Sequence, residues 1–208
     1  MSEALSADDL LAAYGAGYFP MAESRDSDEL YWFNPDKRGI LPINDFRVPR
    51  SLRKFMRREN PFETRFNTAF EEVMRNCAEI PRSHEDNTWI NDEMIARYSE
   101  LNAMGHAHSV ESWRDGQLIG GLYGVSIGGA FCGESMFSYE SQASKVALVM
   151  LVERLRAAGY QLLDTQFVNE HLQQFGVIEI TKKRYLALLD KALTATPSPS
   201  SRFSTTSV

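Results

Sequence analysis

Ala107–Phe137 reads AHSVESWRDGQLIGGLYGVSIGGAFCGESMF, three apolar-rich runs separated by two turn signals. AHSVESW and QLIGGLYGVSI flank Asp115-Gly116, a pair that suits the two-residue turn of a β-hairpin. Gly128-Gly129 then turns the chain into AFCGESMF, so the segment predicts a mainly antiparallel sheet. Gly120, Gly121 and Gly124 match neither a P-loop nor GxGxxG and read as points of close backbone approach.

Helical patterns surround this core. DDLLAAYGAG follows Ser6 and Asp9, spaced as a capping box. RSLRKFMRR spaces Leu52, Phe55 and Met56 on one side, and Phe70, Val73, Met74 and Cys77 form a stripe after Asn67. A further helix is predicted over Asn91–Gly105, with Met94, Ile95, Tyr98 and Leu101 inward. Beyond the sheet, ASKVALVMLVERLRAAG reads as a long helix stopped by Gly159. Then come strand QLLDTQF, a short helix capped by Asn169, strand VIEI and helix KKRYLALLDKAL. Residues 1–45, irregular and aromatic-rich, are expected to form a small lobe without a large core of its own. Residues 46–193 form the main domain, and the Ser/Thr/Pro-rich tail 194–208 is expected to be disordered. The whole is an α+β fold.

The 208 residues have 43% hydrophobic and 24% charged content, as in ordinary globular proteins. Neither a signal peptide nor an apolar run of membrane-spanning length is recognisable, and Cys77 and Cys132 form no CxxC pair; a cytoplasmic, reduced setting is expected. The net charge of −6 argues against nucleic acid, but its distribution argues for it. Arg47, Arg50, Arg53, Lys54, Arg57 and Arg58 fall in one stretch with no acid, leaving −12 on the rest of the chain. Such a patch suits phosphates, although a solvated helix face is the plainer reading. Tyr14, Tyr18, Phe19, Tyr31, Trp32 and Phe33 either bind the small lobe to the large one or stack on unpaired bases.

Two acids interrupt apolar strands. A carboxylate removed from water needs a partner. With side chains alternating, Leu162, Asp164 and Gln166 share one face, and Cys132, Glu134 and Met136 another, with Phe131, Ser135 and Phe137 opposite. If the two strands are neighbours, Glu134, Asp164 and Gln166 line one pocket. The plain alternative for Glu134 is neutralisation by Lys145. His106 and His108 share a face but have no third metal ligand at convincing spacing, and both cysteines read as structural.

GYFPM, WFNPDKRGILP, FNTAFEEVMRNCA, TWINDEMIARYSELNAMGHAHSVESW, GGLYGV, FCGESMFS, ASKVAL, LLDTQF and HLQQFGVIEI occur in that order. Together they resemble the leucyl/phenylalanyl-tRNA–protein transferases of bacteria over residues 5–190. Position 34 is Asn where serine is common in that family. The resemblance implies a GNAT-like acyltransferase domain without the usual acetyl-CoA signature. It also implies transfer of leucine or phenylalanine, less readily methionine, from leucyl-tRNA or phenylalanyl-tRNA to proteins beginning with Arg or Lys, which marks them for N-end rule proteolysis. No cofactor or metal is expected, and a monomer is. By the same resemblance Leu122, Phe131, Met136 and Leu163 form the aminoacyl pocket, and Trp89, Tyr98, Asn169 and Tyr14 lie near the terminal adenosine. Asp164 and Gln166 serve the chemical step: either Gln166, polarised by Asp164, accepts the proton, or, because a neutral amide is a poor base, Gln166 orients the amine while Asp164 stabilises its developing charge. Glu134 meets the cationic acceptor, and Arg50, Arg53, Lys54, Arg57 and Arg58 track phosphates. The alternatives are an acetyl-CoA-dependent acetyltransferase and a non-catalytic RNA-binding module.

Overall fold

The computed structural model describes residues 5–25, 27, 29–58, 62–81, 88–198 and 203. The predicted hairpin forms strands β5 (Ala107–Arg114) and β6 (Gln117–Ile127). Asp115 and Gly116 both take positive φ, 51° and 76°, the requirement of a type I′ turn. Strand β7 (Ala130–Ser138) follows, and helix α5 (Ala143–Ala158) ends on left-handed Gly159. Then come β8 (Leu162–Gln166), α6 (Glu170–Gln173), β9 (Ile178–Thr181) and α7 (Lys182–Leu193). Ahead of the hairpin lie α1 (Ala7–Gly15), α2 (Arg50–Met56), α3 (Phe70–Glu79) and α4 (Asp92–Ala103). The Ser6–Asp9 capping box is present at α1.

Four short strands had no clear signal. A ribbon of β1 (Phe19–Ala22) and β2 (Leu30–Phe33) stands apart, while β3 (Lys37–Ile40) and β4 (Glu63–Phe66) enter the main sheet, whose order is β4-β5-β6-β7-β8-β3-β9. Every neighbour is antiparallel except the β7–β8 pair. This is the mainly antiparallel mixed sheet of the expected α+β class. Strand β3 escapes notice because KRGI neither alternates nor reads as apolar. Although it falls within the expected lobe of residues 1–45, it is hydrogen-bonded between β8 and β9. The lobe's α1 buries Leu10 and Tyr14 against α3 and α4 in a shared core.

A bulge in β7 changes the predicted faces. Tyr123 pairs with Ser135 and Gly124 with Gly133, which leaves Glu134 as the extra residue. Alternation therefore shifts by one across Glu134. Phe131 and Met136 join one core cluster, Cys132 and Phe137 the other. Both cysteines are free and buried.

The tail does not stay wholly free. Phe203 is buried, stacks on His108 with ring centroids 4.2 Å apart, and packs near Phe131 and Tyr160. Its carbonyl accepts from Asn67 Nδ2 at 2.8 Å. An aromatic residue can be captured by a core slot that composition does not reveal. The other tail residues beyond Ser198 lie outside the described residues.

A second buried acid explains itself. Glu111 is fully buried on β5 and accepts from the Thr68 and Ala69 N–H groups at 2.9 Å, from Ser109 Oγ, from Trp113 Nε1 and from the Thr68 hydroxyl. Ala69 caps α3 without a side-chain acceptor, so Glu111 supplies that function from the neighbouring sheet. Glu111→Gln turns an amide donor toward these donors and is expected to cost about 3 kcal/mol in urea unfolding. A cost under about 0.5 kcal/mol would contradict this capping role.

Candidate active site

The β7–β8 ladder runs Ala130–Leu162, Phe131–Leu163 and Cys132–Asp164. A cavity of about 580 Å³ opens past that last pair, lined by Gly133–Ser138 on one strand and Thr165–Phe167 following Asp164 on the other. A bulge and a splay thus act together: the extra residue aims Glu134 into the gap between strands. Gln166 Nε2 donates across it to Glu134 Oε1 at 2.9 Å.

Glu134 Oε2 is buried with no well-formed hydrogen bond among the described residues. Burial pushes the Glu134 carboxyl up to about 8, against the opposing influence of the Tyr14 hydroxyl and the Gln166 amide. Lys145 is not its partner; that ammonium donates to Gln174 Oε1 at 3.5 Å. Near pH 7 the site therefore holds a largely neutral acid that an incoming cation would ionise.

Asp164 behaves differently. It is fully buried, and Arg38 Nε and Nη2 donate to it at 3.0 and 2.6 Å. Tyr185 donates its hydroxyl to Oδ2 at 2.8 Å, and the Gln166 N–H donates to Oδ1 at 2.8 Å. Before any amine arrives, Asp164 already has Arg38 as its ion-pair partner. Its contact with Gln166 is to the backbone N–H.

The apolar wall contains Leu122, Met136 and Leu163 as expected, together with Leu148, Leu151 and Leu172. Phe131 lies instead in the core, where its ring packs against Phe203 with centroids 5.5 Å apart. Trp89 and Asn169 line the cavity, and Asn169 also caps α6 by accepting from Leu172 N–H at 2.8 Å. Tyr14 and Tyr98 lie behind the cavity, not among its lining residues. Both are buried, and their hydroxyls share a hydrogen bond of 2.5 Å. Burial, with Glu134 nearby, raises both phenols well above their ordinary range. Nucleotide-stacking candidates on the surface are Tyr31, Trp32 and Phe33 of β2, with Phe167 at the cavity.

Arg50, Arg53, Lys54, Arg57 and Arg58 line a separate open hollow of about 680 Å³ with Val48, while Leu52 anchors the same helix in the core. His106 bonds the Ser126 carbonyl, and burial lowers His108 to about 4. No cluster of three metal-ligating side chains occurs among the described residues, and no described helix is long and apolar enough to cross a membrane.

The model of the family described as Leucyl/phenylalanyl-tRNA protein transferase matches residues 40–190, and that of its N-terminal domain matches residues 3–36. The chain belongs to that family. A leucyl/phenylalanyl-tRNA–protein transferase of Rhizorhabdus wittichii is 54% identical over 92% of this chain and 76% of its own. One of Paramagnetospirillum magneticum is 55% identical over 92% and 91%, and one of Caulobacter vibrioides 52% over 95% and 89%. Among solved structures, L-PGS from Bacillus licheniformis aligns at a TM-score of 0.40 and 13% identity, over 80% of this chain and 55% of that one. As a family member the protein is an aminoacyltransferase, with leucyl/phenylalanyl-tRNA–protein transferase activity. The three strand residues of its site were legible as acids and an amide on alternating positions. Arg38 and Tyr185 were not: both lie outside the strands that carry the three residues, and no pattern singled them out.

Proposed function

We propose that the enzyme moves leucine or phenylalanine, and less readily methionine, from leucyl-tRNA or phenylalanyl-tRNA to the α-amine of proteins beginning with Arg or Lys, marking them for N-end rule proteolysis in the cytoplasm. The observation that carries this reading is a single cavity joining an apolar wall of Leu122, Met136 and Leu163 to the Gln166–Glu134 pair. The wall suits an aliphatic or aromatic side chain. The buried acid suits a cationic acceptor, because an incoming positive charge favours its ionised form. Trp89, Asn169 and the exposed rings of β2 are candidate contacts for the 3′ nucleotides, and the basic helix for phosphates.

The donor is an activated ester, so neither ATP nor metal is required by this chemistry. An α-amine with a pKa of about 7.7–8.0 is partly neutral near pH 7. Its nitrogen attacks the ester carbonyl, the bond from that carbon to the ribose oxygen breaks, and the departing 3′-hydroxyl gains the proton that the nitrogen loses. Gln166 has Nε2 committed to Glu134, which leaves its Oε1 to accept from the amine N–H and fix its approach.

The reading is tested by incubating the protein with leucyl-tRNA and either an Arg-initiated or an Ala-initiated peptide, followed by mass spectrometry. Addition of one leucine to the Arg peptide alone is expected. An unmodified Arg peptide in the presence of tRNA shown to remain charged would overturn it.

A further inference from the structure

Gln166 has a φ of 60°, a left-handed conformation disfavoured for a side chain with Cβ. The Phe167 N–H donates to the Thr165 carbonyl at 2.6 Å, which makes Gln166 the centre of a γ-turn, a strained arrangement at positive φ. Something must hold it there. Asp164 Oδ1 accepts the Gln166 N–H at 2.8 Å, and Gly39 lies opposite Gln166 on the paired strand β3. A Cβ at Gly39 would stand 2.7 Å from the Phe167 carbonyl carbon.

Asp164 is itself held from the N-terminal side of the molecule. Arg38 is 1% exposed, and its guanidinium lies 4.5 Å from the ring centre of Phe19 and 4.4 Å from that of Tyr185. Beyond its fork onto Asp164, Nη1 donates to the Gly17 carbonyl at 3.1 Å, just past α1. A planar fork with several directed donors fixes a carboxylate's orientation in a way a point charge does not.

We propose that Arg38 is a positioning residue for the transfer reaction: by orienting Asp164 it locks the left-handed Gln166 turn and so aims the Gln166 amide into the cavity. It rests on the reading of Gln166 as the group that orients the acceptor amine. Arg38 touches neither substrate; it acts through two other residues. The N-terminal segment is thereby coupled to the chemical step, since Gly17, Phe19 and Arg38 belong to one packed unit with Asp164.

The test is a double-mutant cycle on the intact enzyme, measuring kcat and KM for leucyl-tRNA with an Arg-initiated peptide in saturating amount. Arg38→Lys keeps the charge and loses the fork, and it is expected to lower kcat by about 10–100-fold while KM for leucyl-tRNA changes less than about twofold. In a Gln166→Ala background the same substitution is expected to change kcat by less than about twofold, because the group it positions is gone. Tyr185→Phe removes one donor to Asp164 and keeps the fold; a loss of a few-fold in kcat, likewise absent with Gln166→Ala, is expected. Equal losses in both backgrounds, for Arg38→Lys or for Tyr185→Phe should the lysine variant fail to fold, overturn the proposal while leaving the role of Gln166 intact. Full activity of Gln166→Ala alone overturns the reading of Gln166 itself.

Discussion

Gln166→Glu is expected to lower kcat/KM for leucyl transfer by about 100-fold or more across pH 6–9, with no range in which activity recovers. The substitution is nearly isosteric and keeps an acceptor oxygen toward the cavity. It removes the Nε2 donor that Glu134 Oε1 receives at 2.9 Å and sets two carboxyl groups face to face. Such a pair shares one proton over a wide range, and the carboxyl oxygen turned to the cavity is no longer fixed. If Gln166 instead acted as a proton acceptor, a carboxylate would be a far better base than a neutral amide. Activity would then rise, or persist with a new pH dependence. Steady-state kinetics over the pH range, with thermal unfolding of the variant as a control, separates the outcomes. A rate gain at any pH would falsify the orienting role.

The sheet's centre was readable because its signals are local. Asp115-Gly116, Gly128-Gly129 and Gly159 sit where backbone sterics leave few alternatives, and the helical stripes repeat over several turns. Strands β3 and β4, KRGI and ETRF, carry no such signal, being neither apolar runs nor alternating apolar and polar. The site shows the same division. Glu134, Asp164 and Gln166 stood out because acids and amides are rare on buried strands. The bulge was foreshadowed only by the placing of Phe131 and Met136 in one pocket from opposite strand faces; that Glu134 is the extra residue was not legible, and the shift puts both side chains in one core cluster. Arg38 was hidden for a different reason. A buried arginine is identified by its partners, and Asp164 and Tyr185 are brought to it only by the insertion of β3 between β8 and β9. Thus the charge balance of Asp164 belongs to the tertiary structure and not to its own strand.

Glu134 carries the second large effect, on acceptor choice. Its folded pKa, near 8, lies above the ordinary 4.5 because burial disfavours the ionised form. Between those values the native state binds more protons than the unfolded chain, so this group's contribution to stability falls as pH rises through the window. A cation in the cavity reverses the preference, so binding of an Arg side chain expels the proton. The ratio of kcat/KM for an Arg-initiated peptide to that for an Ala-initiated one is therefore expected to climb from pH 6 to 8, by up to about tenfold per unit, and to level off above. Titration of the acceptor α-amine cancels in that ratio. In Glu134→Gln the amide has no charge to offer, so the ratio is expected to be flat with pH and at least about tenfold lower at pH 8. A wild-type ratio independent of pH, or a slope that survives in Glu134→Gln, would assign the cation preference to another group. A flat variant with its fold intact instead ties acceptor selection to the bulged residue at the mouth of the splay, where one proton on a buried carboxyl separates the empty site from the occupied one.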